Sequence, residues 1–97
     1  MQIFKNKNLT DQIDILDLGI VEAGETATFI FYVYNETVAE IKDLVFKIES
    51  PEVKIKNAPE ELASKAIAEL VIEWYPSVTL KQGLKARLNI SGIELWS

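Results

Sequence analysis

The chain contains no cysteine and no histidine. Without cysteine there are no disulfide staples and no thiolate nucleophile. Losing both residue types also removes the usual zinc ligand sets, haem and iron–sulfur ligation, and any Ser-His-Asp triad. The proton shuttle of neutral pH goes with histidine. An enzyme made from this sequence would have to work with carboxylates, lysine, tyrosine or a bound hard cation. Glycine and proline are scarce, four and three in 97 residues. The glycines Gly19, Gly24, Gly83 and Gly92 are isolated, so they read as turn positions and form no phosphate-cradling loop. No run approaches 18 uninterrupted apolar residues, which predicts no membrane-spanning helix. Met1–Gln12 shows neither an apolar signal core nor a small-residue cleavage site, so the expected location is a virion or the cytoplasm.

Basic residues are also in deficit, ten against fifteen acidic ones, for a net charge of −5. Such a surface repels a phosphate backbone, so nucleic acid is not an expected partner. The lysines and arginine gather only in twos and threes: Lys5 with Lys7, Lys54 with Lys56, and Lys81 with Lys85 and Arg87. Solvated strand faces account for them. What is present is 48% hydrophobic and 26% charged residues, a composition that folds. A chain of this length forms one domain and buries roughly 60–65% of its unfolded surface. That suffices for one core but not for a core and a deep active site.

Short runs rich in β-branched and aromatic residues recur between turn signals, the pattern of an all-β sandwich or barrel. In Thr26–Asn35, Ala27, Phe29, Phe31 and Val33 share one face, and Thr26, Thr28, Ile30, Tyr32 and Tyr34 share the other. Glu22-Ala23-Gly24-Glu25 reads as the turn of a hairpin whose first strand is Ile13–Ile20. Ile41–Glu49 alternates Leu44, Phe46 and Ile48 against Val45, Lys47 and Glu49, and Pro51 follows its end. Val53-Lys54-Ile55-Lys56 reads as an edge strand with its lysines outward. Leu70, Ile72 and Trp74 form one side of Ala66–Tyr75, while Leu84, Ala86, Leu88 and Ile90 form one side of the next strand. A short strand, Ile93–Trp96, is expected after Gly92. Asn57-Ala58-Pro59-Glu60-Glu61-Leu62 carries helix-start signals and predicts at most one turn of helix.

Candidate chemistry is sparse. Acid pairs occur at Asp14/Asp17, Glu22/Glu25, Glu60/Glu61 and Glu69/Glu73. On a strand, positions 69 and 73 lie about 13–14 Å apart, too far for a glycosidase pair. Asp17, Glu22 and Glu25 lack calcium-loop spacing. Ser64-Lys65 can be drawn as nucleophile and base, but nothing supplies an oxyanion hole. Three N-x-[ST] sequons begin at Asn8, Asn35 and Asn89, and without a leader they read as chance.

Leu16-Asp17-Leu18-Gly19-Ile20-Val21, then Gly24-Glu25-Thr26 and an aromatic strand ending in Asn35-Glu36-Thr37, resembles the opening of immunoglobulin-like domains of the major-sperm-protein and ASH type. Pro59 with Leu62, the Ala66–Trp74 strand, Pro76 and Leu84–Ile90 resemble that group's later loop and closing strands. The likeness spans about residues 14–95. Here Glu36-Thr37-Val38-Ala39 stands where a glycine-containing turn is common. The resemblance implies a seven-stranded immunoglobulin-like antiparallel β-sandwich that scaffolds or binds protein, with no catalytic residues.

The outward stripe Ile30, Tyr32, Tyr34 and the apolar terminus Leu95, Trp96 are the candidate protein-binding residues, since aromatic side chains supply large, rigid contact area. The expectation is therefore an N-terminal arm over 1–12 and a sandwich over 13–97, non-enzymatic and without cofactor. Its partner is protein, itself included, within a larger assembly such as a virus or phage particle. The other class of function is a cellular adaptor or carbohydrate-binding module using Tyr32, Tyr34, Tyr75 and Trp96.

Overall fold

The computed structural model describes residues 1–96 and is all-β, with no helix among them. Eight strands follow in order: β1 (Gln2–Phe4), β2 (Gln12–Ile13), β3 (Ile15–Gly19), β4 (Ala27–Tyr34), β5 (Glu40–Ile48), β6 (Val53–Asn57), β7 (Ile67–Trp74) and β8 (Leu84–Leu95). They form two antiparallel sheets, one of five strands in the order β2-β1-β4-β7-β6 and one of three in the order β3-β8-β5.

Alternation puts the apolar face of each sheet inward. Phe31 and Val33 of β4 meet Leu70, Ile72 and Trp74 of β7, and Leu16, Leu18 and Leu88 close the core from the other sheet. Val33, Leu70, Ile72 and Trp74 are essentially without solvent contact, so truncating Trp74 alone costs about 3–5 kcal/mol. The expected faces of β4 hold, with Phe31 opposite Leu70 and Ile30 opposite Val71. β6 is the outer strand of its sheet, with Lys54 and Lys56 exposed and Lys56 paired to Glu73 at 3.8 Å.

The strand count departs from seven for three local reasons. The stretch expected as an arm contributes β1, which pairs with both β2 and β4. The strand expected over 13–20 breaks at Asp14, and its halves β2 and β3 enter different sheets. The two closing strands are one, β8, running straight through Gly92. That glycine makes no turn. β5 bulges between Lys42 and Val45, with Asp43 at φ 53°, and swings inward across β8. A Cβ at position 92 would lie 2.7 Å from Ile41 Cγ2 and 3.0 Å from Leu44 Cδ2, so only glycine leaves room.

The hairpin expected between 13–20 and 26–35 does not form. β3 pairs with β8, β4 with β1 and β7, and the connection between them crosses from one sheet to the other. Gly24, at φ 84°, donates its N–H to Pro76 O at 2.9 Å, and Ala23 N–H reaches the Thr79 hydroxyl at 2.8 Å. These bonds draw the crossing chain over the β7–β8 loop. The helix signals at 57–62 are overridden too. Ile41 and Leu62 exchange both backbone hydrogen bonds, at 3.0 and 2.8 Å, and Glu60 O accepts from Leu44 N–H at 2.9 Å. One turn of helix carries its nucleation cost with few bonds in return, whereas the extended segment satisfies β5 and buries Leu62.

Candidate functional site

The outer face of the five-stranded sheet carries Phe4 from β1, Thr28, Ile30, Tyr32 and Tyr34 from β4, and Ile67, Glu69, Val71 and Glu73 from β7, as the registers require. Phe4 is buried although it stands outside the core. Its ring meets Tyr34 edge-on, with centroids 6.4 Å apart. The β1–β2 loop returns over this corner, closed by Lys5 N–H to Asp11 O at 3.0 Å and by two Asn6–Thr10 hydrogen bonds at 2.7 and 3.1 Å. Tyr32 and Tyr34 are therefore half-buried by the chain's own N-terminal segment. Further along, Ile30 stays 50% exposed and Ile67 42%.

Lys7 from that loop, Tyr32, Ile67, Ala68 and Glu69 line an open groove of about 400 Å³. One cation and one anion flank an apolar floor. Such a patch suits a protein surface better than a small charged ligand, because interface centres are apolar and their rims polar. Ile67 and Lys7 were not among the residues singled out from sequence. Ile67 was findable, since it falls in the outward set of β7 with Glu69 and Val71; Lys7 depends on loop closure and carries no sequence signal.

Leu95 and Trp96 lie elsewhere. Leu95 pairs with Glu40 at the end of β8, in the other sheet, with Ile93 and Val45 also exposed there. The five sequence-predicted residues thus divide into two separate surfaces. Trp96 is 65% exposed and lies outside the core cluster.

Tyr75, 56% exposed, stands in a second open groove with Glu52, Lys54 and Glu73. Glu52 is held there: its Oε2 accepts from Ser77 N–H at 3.0 Å, and its carbonyl accepts from Tyr75 N–H at 3.2 Å.

The remaining candidates serve the fold. Ser64 Oγ donates to Thr37 O at 2.7 Å, and Lys65 Nζ bonds Glu36 O, so neither faces the other as nucleophile and base. Asp17 Oδ1 accepts from Gly19 N–H at 3.1 Å, and Glu22 Oε2 accepts from the Thr79 hydroxyl at 3.2 Å. Asn35 is completely buried. Its amide nitrogen donates to the carbonyls of Ala39, Leu62 and Ala63 at 2.7, 3.0 and 3.2 Å, and its oxygen accepts from Thr37 N–H at 3.1 Å and Thr37 Oγ1 at 2.6 Å. Only this amide orientation satisfies every partner. The Asn-x-Thr spacing at 35–37 is a structural turn, closed to glycosylation in the folded chain. Next to it, Glu36 Oε1 accepts from the Met1 ammonium at 2.8 Å. Burial raises the Glu36 pKa, but the Met1 hydrogen bond, its own backbone N–H and the nearby positive charges outweigh that and lower it.

Comparison of the chain with protein-family models, with curated proteins and with solved structures returned no match.

Proposed function

We propose that this chain is a non-enzymatic, immunoglobulin-like β-sandwich that binds another protein through the outer face of its five-stranded sheet, as a subunit of a larger assembly, of which a virus or phage particle is one kind. The observation that carries the reading is the groove at Lys7, Tyr32, Ile67 and Glu69, continued by exposed Ile30. Exposed Ile30 and Ile67 beside half-covered Tyr32 and Tyr34 make an apolar patch with a polar rim on one face, the kind of surface that marks an interaction site. The immunoglobulin-like part is supported by the side-by-side order β4-β7-β6 in one sheet with β5 in the other, which matches strands B, E, D and C of that fold.

Affinity capture from the native source, with tagged protein as bait, tests it. Wild type should retain a protein partner or a large particle, and Ile67→Asp or Tyr32→Asp should lose it while keeping a wild-type circular dichroism spectrum. Lys47→Asp, on the opposite sheet, should capture normally. Capture unchanged by both face variants would overturn the assignment of this face.

A second reading, saccharide binding, is favoured by one feature. Tyr75 offers an exposed planar ring between the carboxylates of Glu52 and Glu73. Stacking on the ring with hydroxyl hydrogen bonds to the acids is the chemistry a sugar uses. A glycan screen whose hits vanish with Tyr75→Ala would favour it over the first.

A further inference from the structure

β1 is three residues long, and along β4 it reaches only Tyr32–Tyr34. Among the described residues, the rest of β4 on that side, Ala27-Thr28-Phe29-Ile30-Phe31, has no strand beside it and takes no loop hydrogen bond to its backbone. The flanking chain leaves the space open. Beyond Phe4, Lys5 turns to Asp11 on the far side of β1, and before Ala27, Gly24 is tied to Pro76 beyond the end of β7.

The other sheet borders are blunted as soluble proteins require. β6 carries Lys54, Lys56 and a bulge; β5 carries Lys42, Lys47, a bulge and the 60–62 segment; β3 carries Asp17, Gly19 and a bulge; β2 is two residues long. Ala27–Phe31 has no charge, no proline and no bulge. An uncharged, aromatic, regular edge is a template for another strand.

We propose that this edge pairs antiparallel with the same edge of a second copy, about a two-fold axis at Phe29. Two features favour a second copy over another strand. Pairing about Phe29 sets Thr28 of each copy opposite Ile30 of the other. These are the two residues of the stretch whose N–H and C=O face the open side, so every free backbone group finds a partner with no like charges opposed. The inner-face Phe29 rings then meet at the axis and join the two cores. Closed two-fold pairing removes the edge, whereas open head-to-tail pairing would build fibres. The product is one continuous ten-stranded sheet.

Sedimentation equilibrium across about 1–300 μM is the test, with charge pairs as the probe of register. Wild type should show a concentration-dependent dimer. The double variant Thr28→Lys with Ile30→Lys sets lysine against lysine twice and should weaken the dimer at least tenfold. Thr28→Lys with Ile30→Glu sets lysine against glutamate twice and should restore it, a rescue that a merely misfolded variant cannot show. A wild type that stays monomeric at the highest concentration overturns the proposal. So does a dimer indifferent to the lysine pair, which would place the contact elsewhere, for instance at Val45, Ile93 and Leu95. The readout is mass of the pure protein, so its failure leaves the capture experiment on the outer face untouched.

Discussion

Replacing Asn35 by alanine is the most demanding test of how this fold is held together. The side chain sits where three chain segments meet: the end of β4, the 36–39 turn, and the 62–66 approach to β7. Its backbone is engaged as well, since Asn35 N–H donates to Ala66 O at 3.0 Å and its carbonyl accepts from Lys65 N–H at 2.8 Å. Alanine keeps those two bonds and removes only the amide. Two amide hydrogens serve three carbonyls and the amide oxygen serves two donors, so about four hydrogen bonds disappear, each worth about 1 kcal/mol net. Water can repair the partners Thr37 and Ala63, whereas the buried carbonyls of Ala39 and Leu62 each lose one bond and keep only their second donors, Thr37 Oγ1 and Ile41 N–H. We expect a loss of about 3 kcal/mol, which for a domain of this size lowers Tm by about 12–24 °C.

Urea unfolding followed by tryptophan fluorescence measures it directly, because buried Trp74 reports the core. Asn89→Ala is the control. Asn89 is exposed and makes one surface hydrogen bond, to Glu49 at 3.1 Å, so its loss should cost under about 0.5 kcal/mol. Asn35→Asp separates donor from acceptor. It keeps an oxygen for Thr37 but points a second one at three carbonyls, so it should be at least as damaging at pH 7 and recover partly in acid, where the protonated carboxyl can donate. A loss below about 1 kcal/mol for Asn35→Ala, or equal losses at 35 and 89, would refute the idea that this buried amide joins the segments.

Two smaller predictions concern single positions. Gly92→Ala should destabilise by about 1–3 kcal/mol, because its Cβ would collide with Ile41 and Leu44, both of which pack inward; urea midpoints against wild type check this. Glu36→Gln should flatten the acid side of the stability profile. A carboxyl whose folded pKa lies below its unfolded value stabilises the fold above the unfolded pKa, and that contribution fades as pH falls through the folded value. With Glu36 about one-third exposed, solvent screening holds the effect under about 1 kcal/mol. Urea midpoints of the two proteins should differ at pH 7 and converge toward pH 3.

What was legible beforehand followed from period-two alternation. The inward sets of β4 and β7 were readable because Phe29, Phe31 and Val33, or Leu70, Ile72 and Trp74, recur at every second position while polar or aromatic neighbours interleave. Lys54 and Lys56 announced an edge by the same logic. Alternation says which face a residue takes, but not which strand lies beside it. Leu16 and Leu18 would face a core in either sheet, so the assignment of β3 to β8 rested on bonds at Ala23, Gly24, Pro76 and Thr79 that no local pattern encodes. Gly92 misled for a related reason. Its signal is identical for a turn and for a close approach, and only the bulge at Asp43, itself a tertiary feature, tells them apart. The candidate site shows the same limit: the outward stripe was visible, but its cover was not. Met1–Gln12 is polar and short, and it enters the sheet because three residues of β4 offer it a ladder and Phe4 finds Tyr34.

That cover explains why the five predicted residues are not equivalent. β1 reaches only as far as Tyr32, so Tyr34 becomes part of the fold while Ile30 keeps both an exposed side chain and an unpaired backbone border. A longer β1 would pair the whole of β4 and leave only a face. A missing β1 would bare Tyr32 and Tyr34 as well, an edge of eight residues with little charge to restrain it. The observed length leaves five, enough for a defined register and short enough to limit misassembly. Lengthening β1 therefore makes a sharp prediction. Replacing Lys5 and Asn6 by two valines, to carry the strand onward past Phe4, should protect the amide of Ile30 from hydrogen exchange, since its N–H faces that side while Phe31 N–H already faces β7. It should abolish self-association without altering the groove residues Ile67 and Glu69. If the Ile30 amide gains protection and the dimer persists, the edge is not the contact.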